Sequence, residues 1–161
     1  MTADTLEQIR SIVGRVPDPE IPVLSIADLG ILRGVTTDAH GHVEVTLTPT
    51  YSGCPAMEAI TADVRAVLAE HGYHDVTVQM VLAPAWTSDW MTGEGKAKLR
   101  EYGVSPPAPR SDGPVRVGLS VRCPQCGSPD TRELSRFGST ACKSLWVCEE
   151  CREPFDHFKV I

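Results

Sequence analysis

The chain has 161 residues, 42% of them apolar and 22% charged, which suits a globular protein of one domain, or of a smaller domain joined to a metal-stapled module. A formal net charge of −6 without any basic run argues against general binding to phosphate backbones, so no nucleic-acid partner is expected. No stretch approaches the ~20 apolar residues of a membrane helix and the N-terminus lacks a signal-peptide core; a cytoplasmic protein without a membrane partner is expected, in which six cysteines point to metal or thiol chemistry more than to disulfides.

Leu6, Ile9, Val13 and Val16 recur at helical spacing and predict an amphipathic helix over residues 4–15. Pro17, Pro19 and Pro22 end it and predict a stiff, extended loop through VPDPEIPVLSIADLG. Residues 31–36 and 43–48 read as strands about a tight turn at 38–41, with Val43, Val45 and Leu47 alternating against Glu44, Thr46 and Thr48. Pro55 suits a first helical position, and Met57, Ile60, Val64 and Leu68 form the apolar stripe of a second helix that stops near Gly72. Residues 76–82 read as a third strand, and Trp86 to Tyr102 as a further helix weakened by Gly93 and Gly95. This order predicts an α+β unit, helices packed on a mixed sheet, over residues 1–104. Residues 105–114 (SPPAPRSDGP) are a linker by composition, so 105–120 is assigned to linker and first ribbon strand, and 121–161 to a small all-β module.

Cys123-Pro-Gln-Cys126 and Cys148-Glu-Glu-Cys151 are C-x-x-C knuckles with 21 residues between them. Two residues between cysteines let both thiolates converge on one ion, and two such turns complete a tetrahedral site of four sulfurs. A segment of about forty residues buries too little apolar surface to fold alone, and metal binding makes up the difference. The spacing resembles a zinc ribbon. Iron in a rubredoxin-like site competes, because four thiolates accept either metal; structural zinc is favoured because no redox partner is evident. Cys142 reads either as a small buried apolar residue or as an accessory thiol activated by Lys143.

Cys54 precedes the second helix in TPTYSGCP. A thiol there meets the positive end of the helix dipole and unpaired N–H groups, and Gly53 lets a ligand approach the backbone. A plain capping or core role fits the same spacing. Asp18 and Glu20 flank Pro19 and read as solvated loop carboxylates or as groups beside a metal or thiol. His40, His42, His71 and His74 have no ligand or triad spacing, and phosphate-loop and dinucleotide motifs are missing.

Residues 16–33 (VPDPEIPVLSIADLGILR) and 48–55 resemble the SufT-like iron–sulfur assembly domain family. Residues 137–159 (FGSTACKSLWVCEECREPFDHFK) resemble the D-subunit family of phenylacetyl-CoA 1,2-epoxidase systems, and the likeness spans nearly the whole chain. The resemblance implies a small SufT-like α+β domain followed by a zinc ribbon. It further implies a thiol linked to iron–sulfur maturation at Cys54, within Thr50 to Pro55, and Asp18-Pro19-Glu20 in the same functional region. Implied partners are the other epoxidase subunits, oxygenase and iron–sulfur flavin reductase, with structural zinc and a transient iron or iron–sulfur cargo; a homodimer stays open.

The leading expectation is an accessory factor in aerobic phenylacetate degradation that assembles an iron or iron–sulfur centre in partner subunits, without catalysis of its own. A stoichiometric structural subunit of the oxygenase complex is the alternative. A thiol enzyme lacks a placed histidine base. The oxygenase itself would need Glu-x-x-His pairs on long helices, which this chain lacks.

Overall fold

The computed structural model describes residues 3–110 and 121–161, with side chains from residue 5. Contacts divide the chain into two units: one holds residues up to Trp86 together with Trp90–Thr92, the other Thr87–Asp89 and Gly93–Ile161.

In the first unit, α1 (Ala3–Gly14) buries Ile9 and Val13 completely. Strands β1 (Leu32–Thr37) and β2 (Val43–Leu47) pair antiparallel; α2 (Ala56–Glu70) crosses over to β3 (Val76–Met80), which pairs parallel to β2. The sheet order is β1-β2-β3. Period-two alternation buries Val43, Val45 and Leu47, and the α2 stripe of Met57, Ile60, Val64 and Leu68 is buried as well.

The segment between α1 and β1 is not the extended loop that its prolines predict. It folds back on itself through a Pro17–Ser25 bridge and a turn from Ile21 to Leu24. Ile21, Leu24, Ile26, Leu29 and Ile31 are all buried, so apolar burial prevails over the proline-stiffened extended form. The Ser25 hydroxyl accepts the Asp28 N–H at 3.1 Å while the Asp28 carboxylate accepts the Ser25 N–H at 3.0 Å. Asp28 also receives the Thr92 hydroxyl at 3.4 Å on its carboxylate and the Thr92 N–H at 2.9 Å on its carbonyl.

This clamp explains why the helix predicted over 86–102 is split. The Trp86 indole N–H donates to the Leu29 carbonyl at 2.9 Å, and the Ser88 N–H to the Ile161 carbonyl at 3.0 Å. With the Thr92 bonds, these contacts replace helical ones. A 3₁₀ turn at Ser88–Trp90 results, and α3 starts only at Gly93, ending at Glu101.

The second unit contains α3, β4 (Val104–Ser105), β5 (Thr131–Ser135), β6 (Lys143–Cys148) and β7 (Pro154–Phe158), the strands ordered β4-β7-β6-β5. β4 pairs parallel to β7, with Val104 opposite Asp156, and the other pairs are antiparallel. The division therefore differs from a boundary at 104, because α3 and β4 join the cysteine-bearing unit. Buried Val104 and its two-residue ladder are too short a signal to separate from a linker. Ser105, placed with the linker by composition, lies in β4. The first ribbon strand expected within 105–120 falls largely on residues 111–120, outside the described residues.

Candidate metal centre and thiol loop

The two knuckles have the same backbone construction. In the first, Gly127 follows Cys126 at φ 76 and donates its N–H to the Cys123 carbonyl at 2.9 Å. In the second, Arg152 follows Cys151 at φ 65 and donates to the Cys148 carbonyl at 3.0 Å. A left-handed residue at this point turns the chain so that both sulfurs of a knuckle face the same side. Glycine does this without strain, whereas arginine meets a Cβ clash of about 1–2 kcal/mol. Glu149 steadies it, accepting from Arg152 at 2.7 Å and from Arg132 at 3.0 Å.

The four sulfurs converge, every pair within 4.8 Å. Cys123 and Cys151 are 3.7 Å apart, Cys126 and Cys148 3.6 Å. A tetrahedron with metal–sulfur bonds of about 2.3 Å has edges of about 3.8 Å, so the cluster already has the dimensions of a tetrathiolate site. Cys123, Cys148 and Phe155 form a buried cluster against which Val121, Trp146 and Cys151 pack, while Cys126 is exposed. The N–H groups of Cys151 and Glu150 lower the Cys148 thiol to about 7 against the opposing effect of burial, while Cys151 is pushed up to about 12, the Glu153 N–H there being outweighed by burial and the other three sulfurs, so the packed thiols give up their protons unequally. Four protein ligands fill the coordination sphere, so a metal held here supports the fold and has no position left for a substrate.

Cys54 sits at a different kind of place. The antiparallel β1–β2 pair sets Leu32 opposite Leu47, and the parallel β2–β3 pair sets Leu47 beside Met80. The segment entering β1, the loop leaving β2 and the segment leaving β3 therefore gather at one end of the sheet, beyond the carboxyl ends of the parallel strands, where open α/β sheets bind ligands. The Thr48 N–H donates to the Ile31 carbonyl and the Val81 N–H to the Leu47 carbonyl, both at 2.9 Å, tying these segments together. Within the β2–α2 loop Thr48 and Thr50 are buried, Gly53 takes φ 79 and Cys54 is half-buried. Pro55 occupies the cap position and α2 starts at Ala56; the Cys54 N–H donates to the Tyr51 carbonyl at 3.3 Å and its carbonyl accepts the Met57 N–H at 3.2 Å.

Asp18 is buried, and its Oδ1 accepts the N–H groups of Glu20 and Ile21, each at 2.8 Å. The carboxylate thus caps its own turn and is not the solvated group of a typical proline-rich loop. Glu20 is half-buried. Among the described residues, the four ribbon cysteines are the sole group of three or more His, Cys, Asp or Glu with ligand atoms that close, so Asp18, Glu20 and Cys54 do not converge as a ligand set. Cys142 is buried, with the Thr140 hydroxyl 3.0 Å from its sulfur. Lys143, its expected activator, is itself buried and paired with Asp156 at 3.3 Å. His42 bridges to Asp75 at 2.9 Å, and His71 bonds the Val67 carbonyl at 2.8 Å. Sequence reasoning missed the Asp28 clamp, although Ser25-x-x-Asp28 has the spacing of a reciprocal capping pair.

Comparison with known proteins matches residues 6–82 to the iron–sulfur cluster assembly protein family and residues 107–159 to the PaaD zinc β-ribbon domain. A protein of Escherichia coli (strain K12), provisionally named as the D subunit of 1,2-phenylacetyl-CoA epoxidase, is 49% identical over 97% of this chain and 93% of its own length. An Fe–S protein maturation auxiliary factor of Porphyromonas gingivalis is 38% identical over 59% of this chain and 90% of its own. A solved domain of unknown function from Bacillus anthracis superposes with a TM-score of 0.56 at 28% identity, covering 60% of this chain and 92% of that one. The chain belongs to the PaaD family, in which an iron–sulfur cluster assembly domain is joined to a cysteine-rich β-ribbon.

Proposed function

We propose that this chain is an accessory factor of the phenylacetyl-CoA epoxidase system that assists assembly of an iron or iron–sulfur centre in partner subunits. The observation that carries the reading is the pairing of an iron–sulfur assembly domain over 6–82 with near full-length similarity to the D subunit of an epoxidase. Cys54 is the cargo thiol. It is half-buried in a glycine-bearing loop beyond the carboxyl ends of β2 and β3, where a ligand can reach it. It supplies one sulfur, and among the described residues no set of three or more ligand atoms closes around it. Such a site holds a metal only partly and leaves coordination positions for the client. Hand-over is then ligand exchange without electron transfer: an incoming client thiolate forms a metal–sulfur bond as the bond to Cys54 breaks.

The ribbon holds one zinc ion through Cys123, Cys126, Cys148 and Cys151. The match to a zinc β-ribbon domain supports that element, and the sulfur spacing suits a tetrahedral tetrathiolate site. The ribbon serves as a rigid module for docking onto the epoxidase subunits, and Asp18 caps its own turn through the Glu20 and Ile21 N–H groups. The experiment is an assay of iron and cluster content in each epoxidase subunit, produced with and without this protein. One subunit short of its centre supports the reading.

A second reading, that of a stoichiometric structural component of the oxygenase complex, rests on the word "subunit" in the name of the Escherichia coli relative. Fully loaded partners together with fixed-ratio copurification would favour it.

A further inference from the structure

The geometry points to β3 as the contact through which two copies of this chain join, edge to edge and antiparallel, in a continuous six-stranded sheet. This inference stands on the strand itself and does not rest on the transfer reading.

The two edges of the first sheet are built differently. β1, on one side, has a register irregularity between Leu32 and Gly34 and carries the exposed cation Arg33. A bulge and a charge are the usual ways in which an edge strand is kept from pairing with another chain. β3, on the other side, pairs with β2 over five successive residues, Val76 to Met80, without a shift. Its sequence, VTVQM, has no charge, no proline and no glycine. Among the described residues its one strand partner is β2, which leaves a regular outer row of backbone donors and acceptors. Met80 at its end is 43% exposed and Leu82 just beyond it 60%. An unguarded, regular and partly apolar edge of this kind is a template for another strand.

A second copy fits because the strand complements itself. A two-fold contact must set residue i against j and j against i. With the axis at Val78, Val76 lies opposite Met80 of the other copy, Thr77 opposite Gln79, and Val78 opposite itself. Partners across an antiparallel pair share a face. Val76, Val78 and Met80, which align with the core-facing Val43, Val45 and Leu47 of β2, thus meet apolar partners. Thr77 and Gln79, aligned with Glu44 and Thr46, meet polar ones. No like charges face each other anywhere in the ladder. Antiparallel pairing points the carboxyl ends of the two β3 strands in opposite directions, so the two Cys54 loops leave from opposite ends of the joined sheet.

The test is a sedimentation measurement of mass on the full-length protein at tens of micromolar, paired with amide hydrogen exchange. The expected result is twice the 17.4 kDa chain mass, and β3 amides whose protection rises with protein concentration. Met80→Lys puts a charge where it is tolerated on the separate chain but faces Val76 in the pair, and should give the single-chain mass with unchanged circular dichroism. Phe137→Lys, at an exposed apolar residue of the second unit, should leave the doubled mass intact. Should Met80→Lys disturb folding, Gln79→Lys is the replacement, since Gln79 is exposed and already contacts Glu44. A wild-type monomer overturns the inference, as does a dimer that survives the lysine variants or a β3 whose protection ignores concentration. A monomer that gains β3 protection only when epoxidase subunits are added would overturn it in favour of a client strand.

Discussion

Replacing Cys126 by serine removes one sulfur of the ribbon site at its exposed corner, where the smaller oxygen leaves no core cavity. Structural zinc contributes about 10–16 kcal/mol to modules of this kind, so an equal share for each of four thiolates is roughly 3 kcal/mol, or roughly a hundredfold in affinity. A chelator titration should therefore strip the variant at roughly a hundredth of the chelator strength that the native site withstands. The structure also says how far the damage spreads. β4 pairs with β7, and α3 packs against β4, so metal loss should release α3 together with the ribbon. α3 supplies 9 helical residues against 12 in α1 and 15 in α2, so the far-ultraviolet helix signal should fall by about a quarter while the first unit keeps its own melting transition. Hydrogen exchange on the stripped protein locates the loss. Retained protection in α3, or concerted collapse of α1 and α2 with the ribbon, would refute this division of the chain.

Arg152→Gly should raise the melting temperature of the second unit, because relief of about 1–2 kcal/mol of left-handed strain exceeds the ~0.2–1 kcal/mol of an exposed pair with Glu149; a lower melting temperature would assign the pair a larger share. Asp28→Ala should cost about 1–3 kcal/mol in denaturant unfolding, since the part-buried Ser25 N–H and the Thr92 hydroxyl both lose the acceptor that the buried Asp28 carboxylate provides. Burial pushes the His157 imidazole below its ordinary 6.5, with the Ser105 carbonyl opposing. The folded state therefore favours neutral histidine, and the contribution of His157 to stability is held above pH 6.5 and lost as pH falls through the lowered folded-state value. An NMR titration that finds this ring protonating above 6.5 would contradict that sign.

Where burial follows a simple period, the sequence was readable. The α2 stripe and the alternation in β2 lie where periodicity places them, and the C-x-x-C spacing located the sulfurs that converge. What escaped the reading depends on contacts remote in sequence. Asp28 and Thr92 are 64 residues apart, and Trp86 reaches Leu29 across 57, so no local pattern around residues 86–92 announces that the helix must break there. β4 is two residues long and exists through its pairing with β7. The prolines of residues 17–22 concealed a segment whose apolar residues are core. The sequence singled out Cys54 in the β2–α2 loop, but in the segment between α1 and β1 the capping role of Asp18 needed its hydrogen bonds to be seen.

Whether Cys54 carries the cargo is decided by Cys54→Ser in cells supplied with phenylacetate, with iron and cluster content read on each of the epoxidase subunits. Serine is slightly smaller than the half-buried cysteine it replaces, the cap position belongs to Pro55, and the four ribbon sulfurs are untouched, so the variant should fold and keep its ribbon metal in full. Growth should fail, and one client subunit should be isolated short of its centre. Normal growth with fully loaded partners would contradict it.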